Sequence, residues 1–202
     1  MYKLYLLRHG ESQANKDRIF AAKKINPPLT ELGIDQITKQ AESLKNIRLS
    51  SIYASPLLRA QHTANIINKH HGLEIITSDD LYEIDVGILD GDNQEDPDKW
   101  AVYTNVMDKW EQGFSDFTFP QGETLNDVKD RWLSFLKTIE GKEGNILIAG
   151  HCLLFMAFTW LFCENHNAEL RGNYMGRGHL MVVSPNDKGF WIDRFNIPFG
   201  EF

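Results

Sequence analysis

The chain has 202 residues, 42% of them hydrophobic and 24% charged, which is room for one well-buried domain of ordinary globular composition. Its 21 basic and 28 acidic residues give a formal charge of −7, which argues against a general nucleic-acid partner, since such proteins present a basic face to phosphates. Net charge does not govern a single cleft, so a local basic pocket fits this balance.

The opening MYKLYLLRHG does not read as a charged segment followed by a cleavable apolar core. The most apolar run, from Cys152 to Cys163, is shorter than the roughly 20 residues that span a bilayer. The expectation is a cytoplasmic protein with no membrane partner. The two cysteines, Cys152 and Cys163, read as buried small hydrophobes rather than a disulfide framework.

In chain order, residues 3–8 form a short apolar run that suits a buried strand. Thr30 is placed to cap a helix whose apolar positions Leu32, Ile37, Ala41 and Leu44 recur near helical spacing. Residues 51–55 predict a second strand stopped by Pro56, then a helix that ends at Gly72. Residues 73–77 predict a third strand. Residues 85–121 are irregular and acidic, with a helix around 99–111, and read as a lid-like insertion in a single domain covering residues 1–202. After Gly122, the residues Leu125, Val128, Trp132, Phe135, Leu136 and Ile139 make one apolar helical face. Residues 145–149 predict a fourth strand leading into Gly150-His151 and a very apolar helix, and strands at 180–183 and 190–195 close the chain. Strands alternating with helices predict a three-layer α/β/α fold, with a mostly parallel central sheet covered by helices on both faces.

In such sheets ligands bind beyond the carboxyl ends of the strands. Three of those ends carry cationic or potentially cationic side chains. Arg8 and His9 follow the first strand, Arg59 the second and His151 the fourth, while acidic Glu83 lies just beyond the third. Two arginines and two histidines on one rim make an anion site, and guanidinium matches phosphate geometry. A carboxylate beside it can move a proton.

Leu7-Arg8-His9-Gly10-Glu11-Ser12 resembles the RHG signature of the histidine phosphatase superfamily, in its phosphoglycerate mutase-like branch. The likeness continues through Asn15, Pro28 to Gly33, Gln36, Ser55 to Ala60 with Thr63-Ala64, and Leu81-Tyr82-Glu83 with Gly87. It closes with Gly122-Glu123-Thr124, Arg131 and Gly150-His151. A lone RHG is a weak signal, whereas several motifs in order are a specific one. The resemblance implies a phosphoglycerate mutase-like fold and a phosphatase, of the broad-specificity or alpha-ribazole phosphatase kind, acting on a small-molecule phosphomonoester. It implies His9 as a nucleophile that is transiently phosphorylated and Glu83 as proton donor, with Asp85 two residues on as a rival. Arg8, Arg59 and His151 would bind phosphate, with Asn15 and Ser12 as neutral donors. The bottom-up chemistry runs the same way. Neutral imidazole is a competent nucleophile, and adjacent arginines disfavour its protonated form. They also hold charge on the transferring phosphoryl group. This scheme calls for no metal and no cofactor.

Cys152 stands where members of the family usually have glycine. It does not read as a cysteine nucleophile, because the residue six positions on is Phe158 rather than the arginine a cysteine phosphatase loop needs. Lys23 and Lys24, in an atypical segment, are candidates to reach a distal anionic group. Trp100, Trp110, Phe114, Phe117 and Phe119 read either as a pocket wall or as core. His62, His70 and His71 read as solvated, and His179 as a residue behind the site or a strand terminus. The rival functions are a phosphoglycerate mutase and a catalytically silent phospholigand-binding protein. The mutase is disfavoured by the extra segment and tail such enzymes carry.

Overall fold

A computed structural model describes residues 2–166, 170, 172 and 174–201. Six strands form one sheet in the order β3-β2-β4-β1-β5-β6. They are β1 (Tyr2–Arg8), β2 (Leu49–Ala54), β3 (Ile75–Thr77), β4 (Gly144–Gly150), β5 (Leu180–Asn186) and β6 (Gly189–Ile197). The pairings β1 with β4, β2 with β4 and β2 with β3 are parallel. β5 runs antiparallel to β1, and β6 antiparallel to β5, so the sheet is mixed, with a parallel centre.

The strand side chains alternate between two apolar layers, as a pleated strand requires. Leu4, Leu6, Tyr53, Ile146 and Ile148 face one core, while Tyr5, Leu7, Ile52, Ala54, Leu147 and Ala149 face the other. Helices α2 (Glu31–Leu44) and α3 (Leu58–Asn68) cover the second face through Ile37, Ala41, Leu44, Ala64 and Ile67. Helices α4 (Pro97–Glu111), α5 (Leu125–Thr138) and α6 (Cys152–Phe162) cover the first. Trp132 on α5 is fully buried against Phe135 and Phe158, and truncating it to alanine would cost about 3–5 kcal/mol. The sheet is thus sandwiched between helical layers.

Local chemistry fixes the helix starts. Thr30 accepts from the Gly33 amide at the start of α2, and Thr124 closes a capping box with Asp127 at the start of α5. Asp96 caps α4 with Pro97 in its first turn. Gly72 ends the turn after α3 at φ +64°, as expected of a breaker. Leu32 departs from the expected apolar stripe of α2, since it is 53% exposed. A four-residue helix, α1 (Gln13–Lys16), lies beyond the resolving power of periodicity, as do two 3-10 turns at Asp79–Leu81 and Gly87–Leu89.

One close approach brings α2 to the first strand end. A Cβ on Gly33 would come within 2.1 Å of the Glu11 carbonyl oxygen, and one on Gly10 within 2.4 Å of the Gly33 carbonyl oxygen. Glycine at both positions lets the loop after β1 lie against the start of α2.

Candidate active site

The ends of β1, β2 and β4 are tied at the backbone. His9 N–H donates to the Gly150 carbonyl at 3.0 Å, and Ser55 N–H to the Ala149 carbonyl at 3.0 Å. This places His9, Ser55 and His151 side by side, with the two imidazoles 5.4 Å apart and inclined at 62°. Both rings are buried. His9 Nδ1 lies 2.6 Å from the Gly10 carbonyl oxygen. That acceptor requires the proton on Nδ1, which leaves the lone pair on Nε2. Burial, then the charges of Arg59 and Arg8, hold His9 well below the ordinary imidazole range, so the ring is neutral.

His151 is held low in the same way, by burial first and then Arg59. The ring, potentially cationic by residue type, is therefore a neutral hydrogen-bonding group here. Its Nε2 lies 2.7 Å from Ser55 Oγ, and Ser55 Oγ also accepts from the Leu57 amide at 3.3 Å. With the serine hydroxyl donating to Nε2, the imidazole proton sits on Nδ1.

Arg59, on α3, donates from Nη2 to the Ala21 carbonyl at 2.9 Å. Burial lowers it to about 10, which leaves it fully charged near neutrality. Arg8 donates from Nη1 to the Met175 carbonyl. Among the described residues, three buried donors have no protein partner around His9: Arg8 Nε, Arg59 Nη1 and His151 Nδ1. Buried polar atoms are normally satisfied, so this cluster marks a site shaped for an acceptor-rich group.

Glu83 lies against the start of α6. Its Oε1 accepts from the Leu154 and Ile84 amides at 2.9 and 3.0 Å, and its Oε2 from Leu153 at 3.3 Å. Burial raises its pKa, and the Ile84 amide, the Arg59 charge and the two α6 amides pull the other way. The net result is a carboxyl above its usual range. Asp85 instead accepts from the Gly87 amide, and it is not among the residues lining the pocket.

Ser12 and Asn15 both line the pocket. The Ser12 hydroxyl is engaged with Asn15 Oδ1 at 3.1 Å in a capping box at the start of α1, where it also accepts from the Asn15 backbone N–H, which leaves the Asn15 side-chain Nδ2 for the cavity. Cys152 also lines it, with Sγ 3.7 Å from the Met175 carbonyl, and burial pushes its thiol up. A thiol raised in this way is a poor nucleophile.

The pocket has a volume of about 690 Å³. Lys23 and Lys24 do not line it. Lys23 lies over the Tyr82 ring at 5.5 Å, and the Lys24 backbone amide donates to Asp90. Gln36, part of the likeness, lines the pocket too, and the lining residues that the sequence did not single out include Phe20, Tyr103, Tyr174, Arg177 and Phe199. His179 joins them, its Nδ1 2.8 Å from Asn196 Oδ1. Of the five aromatics in residues 85–121, Trp100 lines the pocket, Trp110 and Phe119 are core, and Phe114 and Phe117 are exposed elsewhere. His62 and His70 are exposed.

Two further groups hold the frame. Arg131 pairs with Glu123 and donates to the Asp80 and Tyr82 carbonyls at 2.6 and 3.2 Å. Glu123 in turn accepts from the Asp85 amide at 2.8 Å. Buried Asp90 accepts from the Ala22 and Lys24 amides and so orders the loop whose Ala21 carbonyl receives Arg59. Among the described residues, no group of three His, Cys, Asp or Glu side chains is placed to hold a metal ion, and no helix is long and apolar enough to cross a membrane.

A parallel-centred α/β sheet with histidines and arginines gathered at its carboxyl edge defines a class of phosphoryl-handling folds. The chain belongs to the histidine phosphatase superfamily (branch 1), which it matches over residues 4–198. It is 32% identical over 148 residues to a probable fructose-2,6-bisphosphatase, TIGAR A, of Danio rerio, covering 71% of this chain and 56% of that protein. The chain thus spans little more than half the length of that relative. It is also 32% identical to a 2,3-bisphosphoglycerate-dependent phosphoglycerate mutase of Parvibaculum lavamentivorans, covering 92% of this chain and 91% of the other. Chain length therefore does not separate this protein from mutases, contrary to the expectation from sequence. In structure it resembles a mycobacterial glucosyl-3-phosphoglycerate phosphatase, with a TM-score of 0.84, 22% identity and coverage of 96% and 98%. It also resembles YhfR of Bacillus stearothermophilus, with a TM-score of 0.81, 24% identity and coverage of 98% of both chains. These two likenesses establish the phosphoglycerate mutase-like fold. Members of the superfamily named here are phosphatases and mutases.

Proposed function

We propose that this protein is a phosphatase that hydrolyses a small phosphomonoester through a phosphohistidine on His9. The reading takes residues 1–202 as a single histidine phosphatase domain, with residues 85–121 as a lid-like insertion. The observation that carries it is the set of unpartnered donors, Arg8 Nε, Arg59 Nη1 and His151 Nδ1, around an imidazole whose Nδ1 is already engaged.

In this scheme the phosphoryl oxygens take those three donors, with the Asn15 side-chain Nδ2 and neighbouring Ser12 at the rim. His9 Nε2 attacks phosphorus as the bond to the ester oxygen breaks. Glu83, whose affinity for a proton is raised by burial, gives its proton to the departing alkoxide. Water then attacks the phosphohistidine, Glu83 accepts a proton from it, and inorganic phosphate leaves with His9 restored. The arginines stabilise the charge spread over the equatorial oxygens. No step calls on a metal or a cofactor.

The phosphoglycerate mutase relative that matches nearly end to end supports a second reading, in which the phosphoryl group on His9 returns to a phosphoglycerate rather than to water. The test is an assay with a chromogenic phosphomonoester and with phosphoglycerate, in EDTA, beside His9→Ala. Phosphate release that survives chelation and disappears in the variant supports the phosphatase. Isomerisation faster than phosphate release supports the mutase. Binding without turnover of either substrate identifies a silent phospholigand-binding protein.

A further inference from the structure

We propose that the pocket selects monophosphate esters whose alcohol carries a flat apolar ring, and selects against substrates with a second phosphate or a carboxylate. The proposal rests on the phosphatase reading above and names the substrate class for that site.

Once a phosphoryl group occupies the space among His9, Arg8 and Arg59, the rest of the cavity is bounded on one side by aromatic rings. Phe20 and Tyr103 lie 5.4 Å apart, and Trp100 stacks beside Tyr103 at 5.1 Å and 24°. Trp100 also stacks on Phe20 at 6.2 Å and 23°. All three line the pocket, and Trp100 remains 42% exposed, so its ring has unused area. Tyr174 and Phe199 lie on the cavity's lining as well, and the Tyr103 and Tyr174 hydroxyls are 3.3 Å apart. A large, half-exposed indole in a cavity of this size gains most from a partner that covers it with a flat face.

Charge points the same way. Among the described residues, the guanidinium and ammonium groups that line the pocket are Arg8, Arg59 and Arg177. The first two serve the phosphoryl group, and Arg177 already pairs with Glu11 at 3.3 Å. A second substrate anion there would also meet the Glu11 carboxylate. Three other cations of the neighbourhood are engaged elsewhere, and Lys24 is exposed and does not line the pocket. Lys99 pairs with Asp92 at 2.8 Å, Arg18 pairs with Glu95, and Lys23 lies over Tyr82. With Asp92 and Glu95 taken up in those pairs, the segment that brings Gln94 and Trp100 to the pocket still carries Asp96 and Asp98, which leaves its local charge negative and unfavourable to a polyanion.

The experiment compares kcat/KM for naphthylmethyl phosphate and ethyl phosphate, whose leaving alcohols are similar in basicity, with phosphoglycerate and a sugar bisphosphate alongside. We expect the naphthylmethyl ester to lead. Trp100→Ala should lower the naphthylmethyl-to-ethyl ratio about tenfold through KM. Trp100→Lys should lower it as well and raise relative turnover of the bisphosphate. In parallel, calorimetry with naphthylmethylphosphonate and methylphosphonate measures the same preference without turnover. Tighter aryl binding with no hydrolysis of any ester would leave the pocket assignment standing and remove the phosphatase reading. A bisphosphate or phosphoglycerate that outcompetes the naphthylmethyl ester, or a ratio unmoved in both Trp100 variants, overturns the proposal.

Discussion

Arg131 and Glu123 form a two-pronged ion pair, Nε to Oε1 at 2.7 Å and Nη2 to Oε2 at 3.0 Å, beneath the loop that presents Glu83. Both side chains are mostly withdrawn from water, at 16% and 14% exposure. The pair's remaining capacity goes to backbone on either side of Glu83, through the Asp80 and Tyr82 carbonyls and the Asp85 amide. Arg131 is therefore a positioning residue for the proposed proton donor.

Removing one partner leaves a largely buried charge unpaired, so Arg131→Ala should lower stability by roughly 3 kcal/mol. At temperatures where the variant stays folded, kcat should fall more for alkyl esters than for nitrophenyl phosphate, because only the alkoxide needs a well-placed acid. Stopped assays on the two substrates, with denaturation curves, check this. Equal losses on both substrates would reduce Arg131 to a structural residue.

Glu83→Gln removes the donor while keeping most of the shape of its seat at the start of α6. Turnover of alkyl phosphates should drop about 10²- to 10⁴-fold, with a much smaller loss on nitrophenyl phosphate. The wild-type rate on alkyl phosphates should fall as pH rises through the elevated pKa of Glu83. That alkaline limb should be missing in the glutamine variant. On the acid side the rate should hold below the ordinary imidazole range, because His9 is kept neutral by burial and by Arg59 and Arg8. A pH profile of kcat/KM for both proteins provides the check.

Stability should carry its own pH signature. His9 and His151 both have folded-state pKa values well below those of the unfolded chain. As pH falls through the unfolded imidazole value near 6.5, the unfolded state takes up protons that the folded state refuses. Folding then weakens by about 1.4 kcal/mol per pH unit for each histidine. Glu83 acts oppositely. Its raised pKa means that the folded state binds a proton between the ordinary carboxylate value and its own, so lowering pH through that window stabilises the fold. Denaturant titrations of the wild type and of His9→Asn/His151→Asn should show a shallower slope for the double variant at pH values just below 6.5. Identical slopes would contradict the burial argument.

Asp90→Ala should raise KM for phosphomonoesters with a smaller change in kcat. Asp90 orders the Ala22 and Lys24 amides, and the preceding Ala21 carbonyl holds Arg59. The variant should also lose about 1–3 kcal/mol of stability, as buried amides are left without an acceptor. Competitive inhibition by inorganic phosphate measures the binding loss directly. An unchanged inhibition constant would separate this loop from the site.

These relationships differ in how far the sequence announces them. Helices α2 and α5 are legible because their apolar stripes, and for α2 the Thr30 cap, are local signals, and the strand ends carrying Arg8, His9, Arg59 and His151 follow from the rule for parallel sheets. The C-terminal contribution is not legible in the same way. Arg177, His179 and Phe199 reach the pocket because β5 runs antiparallel to β1, pairing Leu180 with Leu7, and the His179 carbonyl then receives the Arg8 amide at 3.0 Å. Nothing near residues 177–179 encodes that pairing. Lys23 and Lys24 read as candidates from their place in an atypical segment, whereas Asp90 holds the Lys24 backbone and Lys23 turns to Tyr82. His151 reads from its residue type as a potential cation, and burial beside two arginines, which holds its pKa low, is not visible in sequence.

The central claim is a covalent phosphoryl group on His9. It is tested most directly by mixing enzyme and phosphomonoester rapidly, quenching in base to preserve phosphohistidine, and mapping the adduct by peptide mass spectrometry. The account predicts one phosphoryl group on the peptide containing His9, formed before steady-state turnover and absent in His9→Ala. A phosphoryl group on another residue, or steady turnover in His9→Ala at the wild-type rate, would contradict it.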